Sequence, residues 1–295
     1  MAVKLYTQQH AGQLPDLFER KAKFMEAFGG TPQTLQGAEA QDDYLKLKIS
    51  DTDVVIQDYS TDPNVAFGDG TGNSNRFGKR HEVKSTDIQV PFDTPLAIHE
   101  GIDSYTVNDI PTQVIAERLA LHTTAWADHA DGVFAQELSD KAGKSITGDL
   151  TEEGVINTFN EARRTFVNNK VSNTVVWYAF VTSDVFNMLV DSDLAKTDKN
   201  STVNIDNGVI YRFKGFQLVE VEDEKFKAKE NIYFVPANVG VASVAIPVSR
   251  TIDSEDFAGV TIQSAGKLGK YIPEKNKKAI VKAKLAVPKT PASES

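Results

Sequence analysis

Residues Ala142-Gly143-Lys144-Ser145 carry the closing letters of a phosphate-binding loop, whose backbone amides cradle phosphates while a lysine reaches them. That loop also needs a glycine five residues before Gly143, and Leu138 stands there. A buried strand should lead into it, whereas here a long helical pattern does. The nucleotide reading fails on both counts. His122, Asp128, His129 and Asp131 hold the right atoms for a metal. Yet His122 and His129 lie two helical turns apart, ~10 Å along the axis, whereas zinc helices space their histidines four residues apart. The plainer reading packs both beside Trp126 at a helix interface. Asp191, Asp193 and Asp198 miss the calcium-loop pattern, because Ala195 occupies the third ligand position and no glycine follows. Glu152-Glu153 and Asp42-Asp43 fall at helix starts or loops, where solvent and the helix dipole account for them. No G-x-S-x-G nucleophile elbow is present. No catalytic residue, cofactor site or metal site is assigned.

The composition is that of an ordinary folded chain. It has 295 residues, 40% hydrophobic and 25% charged, the proportions of a folded protein. It holds no cysteine, which removes disulfides, thiolate metal sites and a cysteine nucleophile. A formal net charge of −9 argues against a protein that grips phosphate backbones. It does not exclude proximity to DNA. The N-terminus lacks the apolar run of a secretory signal, and no stretch approaches the ~20 apolar residues of a membrane span. A soluble chain, made inside the cell and without a membrane partner, is expected.

The elements follow from periodicity. Pro15 suits a first helical turn, and Leu14, Leu17, Phe18, Phe24, Met25 and Phe28 continue at helical spacing until Gly29-Gly30. From Tyr44 the period becomes two: Leu45, Leu47 and Ile49 alternate with lysines, and Val54 to Tyr59 can extend that strand. Ser60 to Arg80 then carries Gly68, Gly70, Gly72 and Gly78 among polar residues, with Phe67 and Phe77 as isolated aromatics. Ile88, Val90 and Phe92 alternate again. This predicts a long two-stranded excursion with a flexible tip, flanked by the solvated lysines Lys79 and Lys84.

The longest helical pattern runs over about Asn108 to Asp140, with Pro111 in its first turn. Ile115, Leu119, Trp126 and Val133 are its expected core stripe, shared with His122 and His129, while Asp128 and Asp131 lie elsewhere. At ~30 residues it would span ~45 Å, a spine. A second helix is expected over Leu150 to Asn168 with Asp149 as its cap. Thr174 to Val181 reads as a buried strand, and Ser183 caps a short helix to Val190. Strands are expected at Val209–Phe213, Phe216–Val221, Ile232–Val235, Val239–Ile246, Val260–Ile262 and Ala279–Leu285. Glu222 to Glu230 alternates in sign and reads as a solvated connection.

This order of elements resembles the HK97-type major capsid fold of tailed bacteriophages, an α+β fold, over nearly the whole chain. VVWYAFVTSDVFNMLVDSD is similar to that family's buried strand, polar cap and short helix. GVIYRFKGFQLVEVED is similar to its strand, glycine, strand passage. FVPANVGVASVAIPVSR followed by KKAIVKAKL is similar to its last crossing between domains. The resemblance implies an N-terminal arm at 1–43, an extended loop at 44–100 and a peripheral domain with the spine helix at 101–190. It further implies an axial domain at 191–247, a return to the peripheral domain at 248–285 and a flexible tail at 286–295.

It also implies a function. Such a chain builds the hexamers and pentamers of an icosahedral shell around a dsDNA genome, with no sequence-specific DNA contact. The intersubunit loop would then include Phe67, Gly68, Gly70, Gly72, Phe77 and Gly78. An excursion beginning near residue 44 leaves no room for the scaffolding segment of ~100 residues that many relatives carry, so a separate scaffolding protein and a portal are the implied partners, in a virion assembled in the host cytoplasm. Two alternatives stand beside this: an encapsulin-like compartment of the same fold, and an α+β hydrolase or binding module.

Overall fold

The computed structural model describes residues 8–9, 22–29, 43–50, 54–62, 65, 75–83, 85–106, 111–191, 202–204 and 209–288. The chain divides into two units, Asp43–Pro91 and the remainder.

The smaller unit is the excursion. β2 (Asp43–Ser50) pairs antiparallel with β3 (Ser85–Pro91), with Leu47 opposite Ile88. The alternation from Tyr44 predicts this ladder, but it ends at Ser50. Val54 to Ser60 is irregular rather than a continued strand. It is held by the Ser60 N–H donating to the Arg76 carbonyl at 3.0 Å and by a side chain acting on backbone. Gln57 donates to the Lys79 carbonyl at 2.9 Å and accepts from the Lys79 N–H at 3.1 Å. Gly78 stands next to this clamp at φ 76°, where a side chain would be strained and its Cβ would push Gln57 Oε1, at 2.9 Å, out of the clamp.

The larger unit contains two sheets. β1 (Gln8–Gln9), β4 (Leu96–Asp103), β11 (Val241–Asp253) and β12 (Gly259–Tyr271) form an antiparallel sheet in the order β1-β11-β12-β4. β11 and β12 have 13 residues each, well beyond the short strands expected there. Their buried positions are filled largely by small residues such as Ser249, Thr251, Ser264 and Ala245, which carry little periodic signal. β4 begins inside the range expected for the excursion and pairs with β12 throughout.

The second sheet joins β5 (Lys144–Asp149), β6 (Trp177–Val181), β7 (Thr202–Asn204), β8 (Val209–Phe213), β9 (Phe216–Glu220), β10 (Ile232–Pro236) and β13 (Val281–Ala286). The order is β5-β13-β10-β6-β9-β8-β7. The sheets thus group the chain at points other than 190/191, which falls inside the stretch that builds this second sheet.

The spine is α1 (Pro111–Asp140). Trp126, Ala130, Phe134 and Leu138 recur every fourth residue at 0–4% exposure and bury one face. The expected stripe is displaced from this face: Trp126 is on it, while Ile115, Leu119 and Val133 are half-buried. Ala127, Ala130 and Ala135 let neighbouring elements approach, and small residues of that kind do not stand out in a hydropathy pattern. α2 (Glu152–Asn168) is capped by Thr151, not Asp149, because the Thr151 hydroxyl accepts from the Gly154 N–H at 3.1 Å while Asp149 ends β5. α3 spans Ser183–Asp191.

Two clusters make the core. α2 and α3 cover one set of sheet side chains, with Phe159 against Phe213, Phe216 and Phe234. α1 and a 3-10 turn at Phe24–Phe28 fill the other. That turn replaces the end of the expected N-terminal helix, and residues 10–21 lie outside the described residues. Phe24 contacts Phe180, and Phe28 stacks on Phe134 with centroids 4.7 Å apart in each case.

Candidate functional site

The residues that suggested chemistry have structural partners. Gly143 turns the chain from α1 into β5, and a Cβ there would come within 2.5 Å of the Lys277 carbonyl oxygen. Close backbone approach, not phosphate, is why glycine stands there. Lys144 pairs with Glu161 at 2.6 Å and donates to Thr165 Oγ1 at 3.2 Å.

The two histidines separate. His122 is buried, with Nε2 3.0 Å from Glu100 Oε2 on β4. Arg118 grips the same carboxylate with two N–H groups, Nε at 2.7 Å. The Arg118 guanidinium holds the Glu100 carboxyl down to about 2, against the upward push of burial and with help from His122. His129 is exposed and offers its ring edge-on to Trp126, whose Nε1 donates to Ser264 Oγ at 3.2 Å. Among the described residues no three His, Cys, Asp or Glu side chains converge as a metal site.

Asp131, read as lying off the core stripe, is 5% exposed. Its two oxygens accept from the backbone N–H groups of Lys23 and Phe24, each at 3.0 Å. Burial pushes its carboxyl up to about 6, opposed by those two hydrogen bonds. Nothing in sequence links residues 24 and 131.

The segment 222–230 is exposed at 222–224, 228 and 229, as a solvated connection should be, but two of its residues are anchored in the core. Phe226 is buried between Phe24 and Tyr233, and Lys225 pairs with Asp128 of α1 at 3.0 Å. Glu230 is buried, accepting from Ser139 at 3.1 Å and Tyr233 at 2.7 Å and pairing with Lys282 at 2.8 Å. A lone phenylalanine inside a charge run was the available signal.

The surface that stands out is on the excursion. Val54, Ile56, Phe77 and Val83 are 95%, 96%, 77% and 72% exposed. Tyr59 meets Phe77 edge-on at 5.2 Å. Of the expected loop residues, Phe77 and Gly78 are on this surface, and Phe67, Gly68, Gly70 and Gly72 lie outside the described residues. Val54 and Ile56 escape as surface residues because the apolar run Val54-Val55-Ile56 reads as a continued strand.

No protein-family model and no curated protein matches the sequence. Solved structures do. The chain superposes on the mature capsid of bacteriophage PhiM1 with a TM-score of 0.64 at 14% identity, covering 90% of this chain and 87% of that one. For the capsid of cyanophage P-SCSP1u the TM-score is 0.65 at 10% identity, with 91% and 89% covered. The chain has the HK97-like capsid fold. A virus-like particle from Pyrococcus furiosus also matches, with a TM-score of 0.51 at 10% identity over 93% and 97%.

Proposed function

We propose that this chain is the major capsid protein of a tailed bacteriophage, building hexamers and pentamers of an icosahedral shell around dsDNA. One observation carries the reading: a fold shared with phage capsids over about nine-tenths of both chains. The exposed apolar excursion supports it. A lone subunit gains nothing from Val54, Ile56 and Phe77 in water, whereas a neighbour that covers them contributes ~1.5–3 kcal/mol per ring or branched side chain before ordering costs. Each contact is weak, but every subunit makes several at once, and a closed ring multiplies them.

The protein acts by geometry rather than catalysis. The seven-stranded sheet supports an axial domain wider than 191–247, drawn from 144–240 and 274–286. The spine helix and four-stranded sheet support the peripheral domain, and 43–91 supports the extended loop. A separate scaffolding protein, a portal and enclosed DNA are the partners of this reading, with assembly in the host cytoplasm and residence in the virion. No helix among the described residues is long and apolar enough to cross a membrane.

The second reading, an encapsulin-like compartment, draws on the match to the Pyrococcus furiosus particle. Electron microscopy of the full chain, expressed with a cognate scaffolding protein, separates them. Uniform empty or DNA-filled icosahedral shells are expected. A persistent monomer under every assembly condition would sink the shell reading, and shells that capture one specific enzyme would move it to the second.

A further inference from the structure

Three buried polar atoms near α1 have no hydrogen-bond partner among the described residues: His122 Nδ1, Ser249 Oγ and Thr251 Oγ1. Their residues are 2%, 2% and 7% exposed. A fourth such atom, Thr182 Oγ1, follows β6 in the other sheet. Strand register places the first three against one face of the four-stranded sheet. Thr251 stands opposite Ile262, which stands opposite Glu100, the carboxylate that meets the other ring nitrogen of His122. Ser249 stands opposite Ser264, whose hydroxyl accepts from Trp126 Nε1 at 3.2 Å. Residues opposite each other in an antiparallel pair share a face, so Ser249 and Thr251 point to the side of the sheet that meets α1.

Left dry, these groups are a cost without return. A hydroxyl or ring nitrogen taken out of water and left unpaired destabilises a fold, where an apolar side chain of the same shape would not. Spacing shows what would pair them. Positions two apart on a strand lie ~6.6 Å from each other, and residues opposite across a pair ~5 Å. The first distance is too long for two hydroxyls to bond directly. Both suit a single small molecule making hydrogen bonds of ~2.8 Å on each side. Ser264 Oγ, which accepts from Trp126, still has its own proton to give. Further along α1 the contact is of another kind: Ala130, Phe134 and Leu138 are each 0% exposed, and Phe134 stacks on Phe28.

The geometry points to a short chain of buried water between α1 and this sheet face. One molecule bridges Ser249 Oγ and Thr251 Oγ1 and reaches Ser264 Oγ, and a second is held at His122 Nδ1. Buried water of this kind makes about two to four hydrogen bonds and is part of the fold. It joins the His122–Trp126 turn of the spine to the sheet through bridging molecules, whereas the Ala130–Leu138 stretch is held by interlocked side chains. These waters belong to one subunit, so they do not depend on the shell reading.

Two measurements on the full chain test it. Ser249→Ala with Thr251→Val removes both hydroxyls at little change of shape. If the hydroxyls are dry, the change relieves a burial cost and raises Tm. If they hold water, it leaves that molecule short of partners, so Tm should fall and the unfolding equilibrium constant should rise about tenfold. A map of the unaltered chain, at a resolution that shows ordered water, should hold density within hydrogen-bonding distance of both hydroxyls and of His122 Nδ1. The density between the two β11 positions should be gone from the double variant. A raised or unchanged Tm overturns the water, as does a map with no such density and with the hydroxyls turned onto backbone carbonyls. If the double variant does not fold, Ser249→Ala alone should lower Tm in the same direction, and the map of the unaltered chain decides.

Discussion

Asp131 Oδ1 accepts the backbone N–H of Phe24 at 3.0 Å although 107 residues separate the two. The second oxygen takes the N–H of Lys23, so one carboxylate ties the N-terminal segment to the middle of the spine helix. It is fixed in the core by Phe24 against Phe180 and Phe28 against Phe134.

Asp131→Ala leaves two buried N–H groups without an acceptor and should cost ~1–3 kcal/mol at neutral pH, measured by denaturant unfolding of the unassembled subunit. The pH dependence has a definite sign. The folded carboxyl is raised from 3.8 to about 6, so the folded state holds its proton more tightly than the unfolded chain. Stability from this group is full below about 3.8 and declines as pH rises through about 6. Relative to Asp131→Asn, the unaltered chain should therefore gain stability on acidification from pH 7 to 4. An unchanged or falling difference would contradict the buried, desolvated assignment.

Glu100 should behave in the opposite way. Its folded value is depressed from 4.5 to about 2, so its contribution is present above about 4.5 and is lost as pH falls toward about 2. The Arg118 side chain is 41% exposed, so solvent screening limits the pair to about 1 kcal/mol. Glu100→Gln should lower stability at pH 7 by about that amount, and the gap should close below pH 3 in the same unfolding titration.

Trp126→Ala should cost ~3–5 kcal/mol, because the indole is 4% exposed and the cavity cannot collapse against a sheet. Low soluble yield and a lowered Tm are the expected readouts. A variant that folds normally but does not assemble would place Trp126 in an interface instead.

Replacing residues 64–78 with a short Gly/Ser turn should leave the subunit's thermal unfolding near native and abolish shells or make them fragile. Phe77→Ser alone should act in the same direction, since a ring 77% exposed contributes little to the isolated fold. Robust particles from the deletion, seen by electron microscopy, would remove the excursion from the intersubunit contacts.

The strongly periodic parts were legible because their signal is local. Leu45, Leu47 and Ile49 alternating with lysines specify a ladder that tertiary structure had only to accept. The run TVVWYAFV needs burial on both sides and becomes β6 at the centre of a sheet. The order of such elements was enough to bring the capsid fold into view without a single invariant motif. What only the tertiary structure decided has weak or non-local signals. β5 offers Ile146 as its one large apolar residue and is a strand because β13 pairs with it. β11 and β12 bury serines, threonines and alanines that no hydropathy period marks. Asp131 and Glu230 look like surface acids in sequence, and their hydrogen-bond partners include Phe24 and Ser139, about a hundred residues away along the chain. A residue type and its near neighbours determine what a segment can form, whereas burial is a property of what folds over it.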